Sequence, residues 1–234
     1  MNDANQSQPQ LQRVLVSDFD GTITDRDFYH AYTERFLDRN APDFWADYHA
    51  GKSSHFDTMA SIFGYSPIGE AAFCELLGSL DIEPQLSAAV EMLKAAGWDV
   101  VVCSAGCRWY IERLFEAAGV SLEIHSNPGS IDDEGRLQMT RGTDLPFYCE
   151  EVGVDKSAVV RAQLEAGRTV AYAGDGMVDL SAALLVPPHL RFARRDLAEQ
   201  LTRQGEQFRP FSRWSDVAKA LVAKTSSPPS GARL

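Results

Sequence analysis

The sequence predicts a doubly wound α/β protein, a parallel sheet covered by helices on both faces, with an all-helical insertion early in the chain. Three observations carry this. Short apolar runs recur at 14–16, 100–103 and 169–173, and continuous β-branched runs of this length suit parallel strands buried on both faces. Each run finishes in small or acidic residues: Ser17-Asp18, Ser104, and Gly174-Asp175. Segments with helical character, several of them stopped by glycine, separate the runs, and strand alternating with helix implies a parallel sheet. Ligands of such sheets bind at the carboxyl ends of the strands, where all three polar endings lie.

Taken in order, Val14-Leu15-Val16 forms the first strand. Residues 25–83 then show helical patterns with no convincing strand, broken around Asn40-Ala41-Pro42, Gly51-Lys52 and Gly64-Tyr65-Ser66-Pro67. Because this stretch directly follows the first polar strand ending, it reads as a cap over the active edge, hinged near 25–27 and 81–84. Helix 84–96 starts with Pro84, presents Leu86, Val90 and Leu93 on one face, and stops at Gly97. Segments 108–118 and 156–166 stop at Gly119 and Gly167, and segment 177–185 follows Asp175-Gly176. The expected division is 1–24 plus 84–224 as a catalytic core, 25–83 as the cap, and 225–234 (TSSPPSGARL) as a flexible tail.

With 44% hydrophobic and 24% charged residues the chain has an ordinary globular composition. A net charge of −11 argues against nucleic acid as a partner. No apolar stretch approaches the roughly 20 residues that span a bilayer, and the start, MNDANQSQPQLQR, lacks the apolar region of a signal peptide. A cytoplasmic protein with a small-molecule partner and no membrane association is expected. Cys74, Cys103, Cys107 and Cys149 form no CxxC pair and read as buried thiols, neither a disulfide framework nor a zinc site. Oligomeric state is not legible.

Asp18-Phe19-Asp20-Gly21-Thr22 follows the first strand. Residues i and i+2 of an extended segment point to one side, so both carboxylates face one space and repel unless a cation lies between them. A metal near Asp18 would keep it ionised as a nucleophile and leave Asp20 to carry protons. Gly21 permits a tight turn, and Thr22 can donate to an anion. Alone, D-x-D also suits metal binding or helix capping. Ser104, before Ala105-Gly106, lets a hydroxyl and backbone N–H groups approach a phosphate together. Lys156, the sole lysine between Lys94 and Lys219, follows the N-cap candidate Asp155, where the helix dipole opposes a cation. A local rule broken without local gain marks a functional position. In Gly174-Asp175-Gly176-Met177-Val178-Asp179, Asp175 would meet Asp18 across the sheet edge. Mg²⁺ takes one or two carboxylates plus phosphate and water; Asp18, the Asp20 carbonyl and Asp175 could supply it, with Asp179 acting through water or orienting Lys156.

In DFDGTIT (18–24), VVVCSAG (100–106), Lys156 in VDKS and YAGDGMVD (172–179) the chain resembles the haloacid dehalogenase-like superfamily, and the helical insert resembles the cap of its phosphoserine-phosphatase-like branch. The resemblance implies a Rossmann-like core and a Mg²⁺-dependent phosphomonoester hydrolase. It implies Asp18 as the nucleophile that forms an aspartyl-phosphate, and Asp20 as general acid then base. Thr22, Ser104, Ala105 and Lys156 would hold the phosphoryl group, and Asp18, Asp20 and Asp175 the Mg²⁺, with Asp179 behind them. Phosphoserine phosphatases carry Glu where Asp27 stands, a cap arginine where Ile62 falls, and Asn where Val178 stands, which disfavours that substrate. Closer is the resemblance to methionine-salvage phosphatases acting on 2-hydroxy-3-keto-5-methylthiopentenyl-1-phosphate, in Asp27, Phe63-Gly64 and Phe192-Ala193-Arg194. Alternatives are a phosphoserine phosphatase or phosphotransferase of the same branch, or a non-catalytic binding module, whose signature would be the loss of Asp18, Asp20 or Asp175. Eleven aromatics within 25–83 are expected to fill the cap and in part to line its underside, an arginine-free roof suited to an uncharged tail. The five histidines show no ligand spacing and read mostly as structural, and Arg191, Arg194 and Arg195 read as a solvated helix start or surface loop.

Overall fold

The structure, a computed structural model, describes residues 13–225. Strand β1 (Arg13–Ser17) leads into four helices, α1 (Phe28–Phe36), α2 (Trp45–His49), α3 (His55–Phe63) and α4 (Gly69–Leu77). After them come α5 (Leu86–Ala95), β2 (Trp98–Cys107), α6 (Arg108–Ala117) and β3 (Glu123–Asn127). Two small antiparallel pairs follow, β4 (Gly129–Ile131) with β5 (Leu137–Met139) and β6 (Tyr148–Cys149) with β7 (Gly153–Val154). The chain closes with α7 (Lys156–Glu165), β8 (Thr169–Gly174), α8 (Leu180–Ala183), β9 (Arg191–Ala193), α9 (Arg195–Arg203), β10 (Arg209–Pro210) and α10 (Trp214–Thr225).

Six strands form one parallel sheet in the order β10-β9-β8-β1-β2-β3. The chain winds outward from β1 in both directions, which is the doubly wound α/β arrangement. Alternation along the central strands explains why their sequences are continuously apolar. Leu15, Val100, Val102, Ala171 and Ala173 face one core, while Val14, Val16, Val101, Val170 and Tyr172 face the other. Helices α5, α6 and α10 cover the first face, and α7, α8 and α9 the second. Strands β3, β9 and β10 carry no signal of this kind: EIHSN is mostly polar, and the other two span three and two residues. Position in the sheet, not local propensity, makes them strands.

Residues 25–83 leave and rejoin the core through a short antiparallel stem. Asp25 and Arg26 N–H donate to the carbonyls of Asp81 and Leu80, Glu83 N–H donates to Ile23, and Thr24 bridges to Ile82. Of the eleven aromatics, Phe28, Tyr32, Phe56, Phe63 and Phe73 are buried in a cluster that runs on without a break into the sheet's first face. Phe28 stacks on Tyr110 of α6 with ring centroids 4.2 Å apart. The insertion also leans on the β4–β5 hairpin, where Gly69 N–H donates to the Gly135 carbonyl at 2.9 Å. Helix α10 extends through Thr225, the first residue of the expected tail, and residues 226–234 lie outside the described residues. Among the described residues no helix is long and apolar enough to cross a membrane.

Candidate active site

The register of the central strands puts the polar endings side by side. Ser17 pairs with Val102 on β2 and with Ala173 on β8, so Asp18, Ser104 and Asp175 leave the sheet together at one edge. Asp18 N–H still donates to the Ala173 carbonyl at 2.9 Å, which holds the start of the loop to the sheet. Here Gly21 takes φ +66°, and a Cβ on it would fall 2.1 Å from an Asp175 oxygen. Only glycine lets this turn pass so near the second carboxylate.

Lys156 opens α7, whose N-cap Asp155 accepts from Ala158 N–H. Its Nζ lies 2.7 Å from Asp18 Oδ1 and 2.6 Å from Asp179 Oδ1. The cation that the helix dipole disfavours is thus held by two buried carboxylates. Asp179 is saturated: Oδ1 also accepts from Tyr172 hydroxyl at 2.6 Å, and Oδ2 from the N–H groups of Asp175 and Gly176 at 3.0 and 2.9 Å. Burial opposes its ionisation, but Lys156 and these donors outweigh that and hold its pKa below the ordinary value. Burial likewise opposes charge on Lys156, and the charges of Asp179 and Asp18 overcome it, so its pKa is raised. Asp18 is pushed well up by burial and by Asp179's charge, against Lys156. Asp175 is raised to about 6 by burial and Asp179.

Asp20 lines the same cavity but takes its hydrogen bonds from outside this cluster. Its Oδ1 accepts from Phe28 N–H at 3.1 Å and its Oδ2 from Tyr110 hydroxyl at 2.5 Å. Burial, then the charge of Asp27, raises its pKa to about 7. Ser104 is buried, with Oγ accepting from Gly106 N–H at 3.0 Å.

A cavity of about 540 Å³ opens above these groups. Asp18, Asp20, Ser104, Ala105, Lys156 and Asp175 form its floor, and Tyr29, Trp45, His55, Met59 and Phe63 a wall from the insertion. Thr22 departs from expectation. It lies outside this lining, and its hydroxyl donates to Asp175 Oδ1 at 3.3 Å, so it supports a carboxylate and does not face an incoming anion. The arginines are corrected as well. Arg191 is buried, donating to the carbonyls of Ala183 and Val186 and pairing with Glu206; Arg194 donates to Gly21 and Thr24 carbonyls; Arg195 reaches the cavity and lies 3.3 Å from Asp175 Oδ2. Arg26 also lines the cavity, so its walls are not arginine-free, but Arg26 is paired with Glu34, as Arg195 is with Asp175 and Asp25. His30 and His55 line the cavity too. Tyr110 escaped sequence reading because it lies 90 positions from the carboxylate it serves.

Oxygens of Asp18, Asp175 and Asp179 lie within 4.8 Å of one another. An all-oxygen, anionic set of this size fits a hard divalent cation such as Mg²⁺. Asp179, with both oxygens already engaged, is the least free of the three to ligate.

The sequence profile of haloacid dehalogenase-like hydrolases matches residues 15–184. Pdp3-interacting factor 1 of Schizosaccharomyces pombe is 29% identical over 222 residues, covering 90% of this chain and 95% of that protein. Inorganic pyrophosphatase 2 of Arabidopsis thaliana is 24% identical over 201 residues, 73% of this chain and 66% of that one. The crystal structure of phosphoserine phosphatase from T. onnurineus superposes with a TM-score of 0.60 at 20% identity, covering 94% of this chain and 98% of that one, a likeness of fold.

Proposed function

Because the chain belongs to the haloacid dehalogenase-like hydrolase family, we propose that it hydrolyses a small phosphomonoester in two steps through Asp18. One observation carries the reading: a buried carboxylate on the cavity floor, paired with Lys156 at 2.7 Å, beside Asp175 and two residues before a second carboxyl held at its own hydrogen-bonded station.

Asp18 attacks phosphorus, the ester P–O bond breaks with its electron pair going to the leaving oxygen, and Asp20 donates the proton that oxygen needs. Asp20, now ionised, takes a proton from water as the water attacks the phosphorus of the acyl-phosphate. Asp18 leaves as carboxylate and inorganic phosphate is released. Lys156, Ser104 Oγ and the N–H groups of the 104–106 loop bind the phosphoryl oxygens, while Asp179 and Tyr172 hold Lys156 in place. Asp18, the Asp20 carbonyl and Asp175 would hold Mg²⁺, which when bound supplies the charge that lets two carboxylates and a phosphate dianion share one site. In this reading residues 25–83 act as a cap that keeps bulk water from the acyl-phosphate.

For the substrate, the cap wall of Tyr29, Trp45, Met59 and Phe63 favours an uncharged tail, such as the methylthio tail of 2-hydroxy-3-keto-5-methylthiopentenyl-1-phosphate; thioether sulfur on aromatic edges gains about 0.3–1.5 kcal/mol. Arg26 and Arg195 are already paired with carboxylates, which leaves the carboxylate of phosphoserine without a clamp. The test is a panel of phosphomonoesters assayed with Mg²⁺ and with excess chelator. Uncharged-tail substrates should exceed phosphoserine in kcat/KM by at least about 10-fold, roughly 1.4 kcal/mol, and chelation should abolish turnover. Equal turnover of phosphoserine would overturn the substrate reading, and full activity in chelator the metal reading.

A further inference from the structure

Asn127 ends β3 and is fully buried. Its amide nitrogen donates to two carbonyls, Ala105 at 2.7 Å and Val152 at 3.1 Å. The first belongs to the loop assigned to phosphate binding; the second lies four residues before Lys156.

That loop lacks ordinary sheet support. From Cys103 to Cys107 β2 takes four steps, while β3 takes two, from His125 to Asn127. Residues 104–106 are therefore bulged out of the ladder, and a bulge leaves its extra residues unpaired. The Asn127 side chain supplies the missing partner. In a trans peptide the carbonyl and the following N–H point in opposite directions. Anchoring the Ala105 carbonyl on Asn127 therefore aims Gly106 N–H the other way, where Ser104 Oγ accepts it at 3.0 Å and the cavity begins. The opposite wall is built to the same side chain. Gly153 sits at φ +82°, and a Cβ there would fall 1.8 Å from Asn127 Oδ1.

We infer that Asn127 is a positioning residue that fixes the 104–106 loop and the start of the Lys156 helix in one common frame, so that both reach the same phosphoryl group. This rests on the phosphatase reading above. The test compares wild type, N127D and N127A in the full-length, Mg²⁺-loaded protein. N127D keeps the shape but sets an acceptor against two carbonyls; N127A removes the side chain and stands in if N127D does not fold. The probes are inorganic phosphate binding by calorimetry, kcat and KM on a phosphomonoester, and the amide resonances of Gly106 and Lys156. Misplacing binding groups by about 1 Å costs on the order of 100-fold, so phosphate affinity and kcat/KM should each fall roughly 10- to 100-fold. The Gly106 and Lys156 amides should shift together while those of β8 stay. Folded variants that bind phosphate as wild type does, with both amides unmoved, would overturn the inference. If wild type neither binds phosphate nor turns over, the phosphatase reading fails, and the amides alone decide: a joint shift upholds the common frame, and unmoved amides refute it.

Discussion

In the proposed mechanism Lys156 serves both stability and chemistry with one side chain. It is buried between Asp18 and Asp179, at 2.7 and 2.6 Å, and no other cation comes this near Asp18 among the described residues' ion pairs. Removing one partner of a buried charge cluster leaves the others uncompensated, at a cost of about 3–5 kcal/mol. Lys156→Met should lose that much stability in urea unfolding and lose turnover as well. A variant of wild-type stability would mean that the pair contributes nothing to the fold. At this scale the sequence was informative wherever an apolar run stopped: Asp18, Ser104 and Asp175 stand at those points, although β2 itself runs on to Cys107. Tyr110 and Arg195 were illegible because their partners, Asp20 and Asp175, meet them only through the tertiary fold.

At the scale of elements, α1 joins the insertion to the site. Its first residue, Phe28, stacks on Tyr110 at 4.2 Å, meets Phe63 edge-on at 5.1 Å, and donates its N–H to Asp20. Phe28→Ala should cost about 3–5 kcal/mol, as large aromatic truncations in cores do, and should lower kcat because α1 carries the donor that fixes Asp20. A loss below about 1 kcal/mol would show that the cluster collapses around the void. The breaks at 40–42, 51–52 and 64–67 were readable from Pro and Gly, and they separate α1 to α4. The edge strands were not readable, since β3, β9 and β10 are defined by neighbours and not by their own residues.

For the molecule as a whole, two half-buried histidines make one contribution to stability depend on pH. Burial lowers the pKa of His55, against the charge of Glu151, and of His125, against Glu123. At these two groups the folded state binds protons less readily than the unfolded chain, whose histidines titrate at about 6.5. Their contribution is intact above that value and is lost as pH falls through it. Urea unfolding of wild type should weaken more steeply between about pH 7 and pH 5 than that of a His55→Gln, His125→Gln double variant; identical slopes would show that neither group is linked to folding.

The covalent role proposed for Asp18 is tested most directly by acid quench during turnover, followed by mass mapping of the phosphorylated peptide. The phosphoryl group should lie on Asp18, should form and decay more slowly but at the same residue in Asp20→Asn, where leaving-group protonation and water activation are both impaired, and should be absent in Asp18→Asn together with turnover. A phosphoryl group on any other residue, or substantial turnover by a folded Asp18→Asn protein, would contradict it.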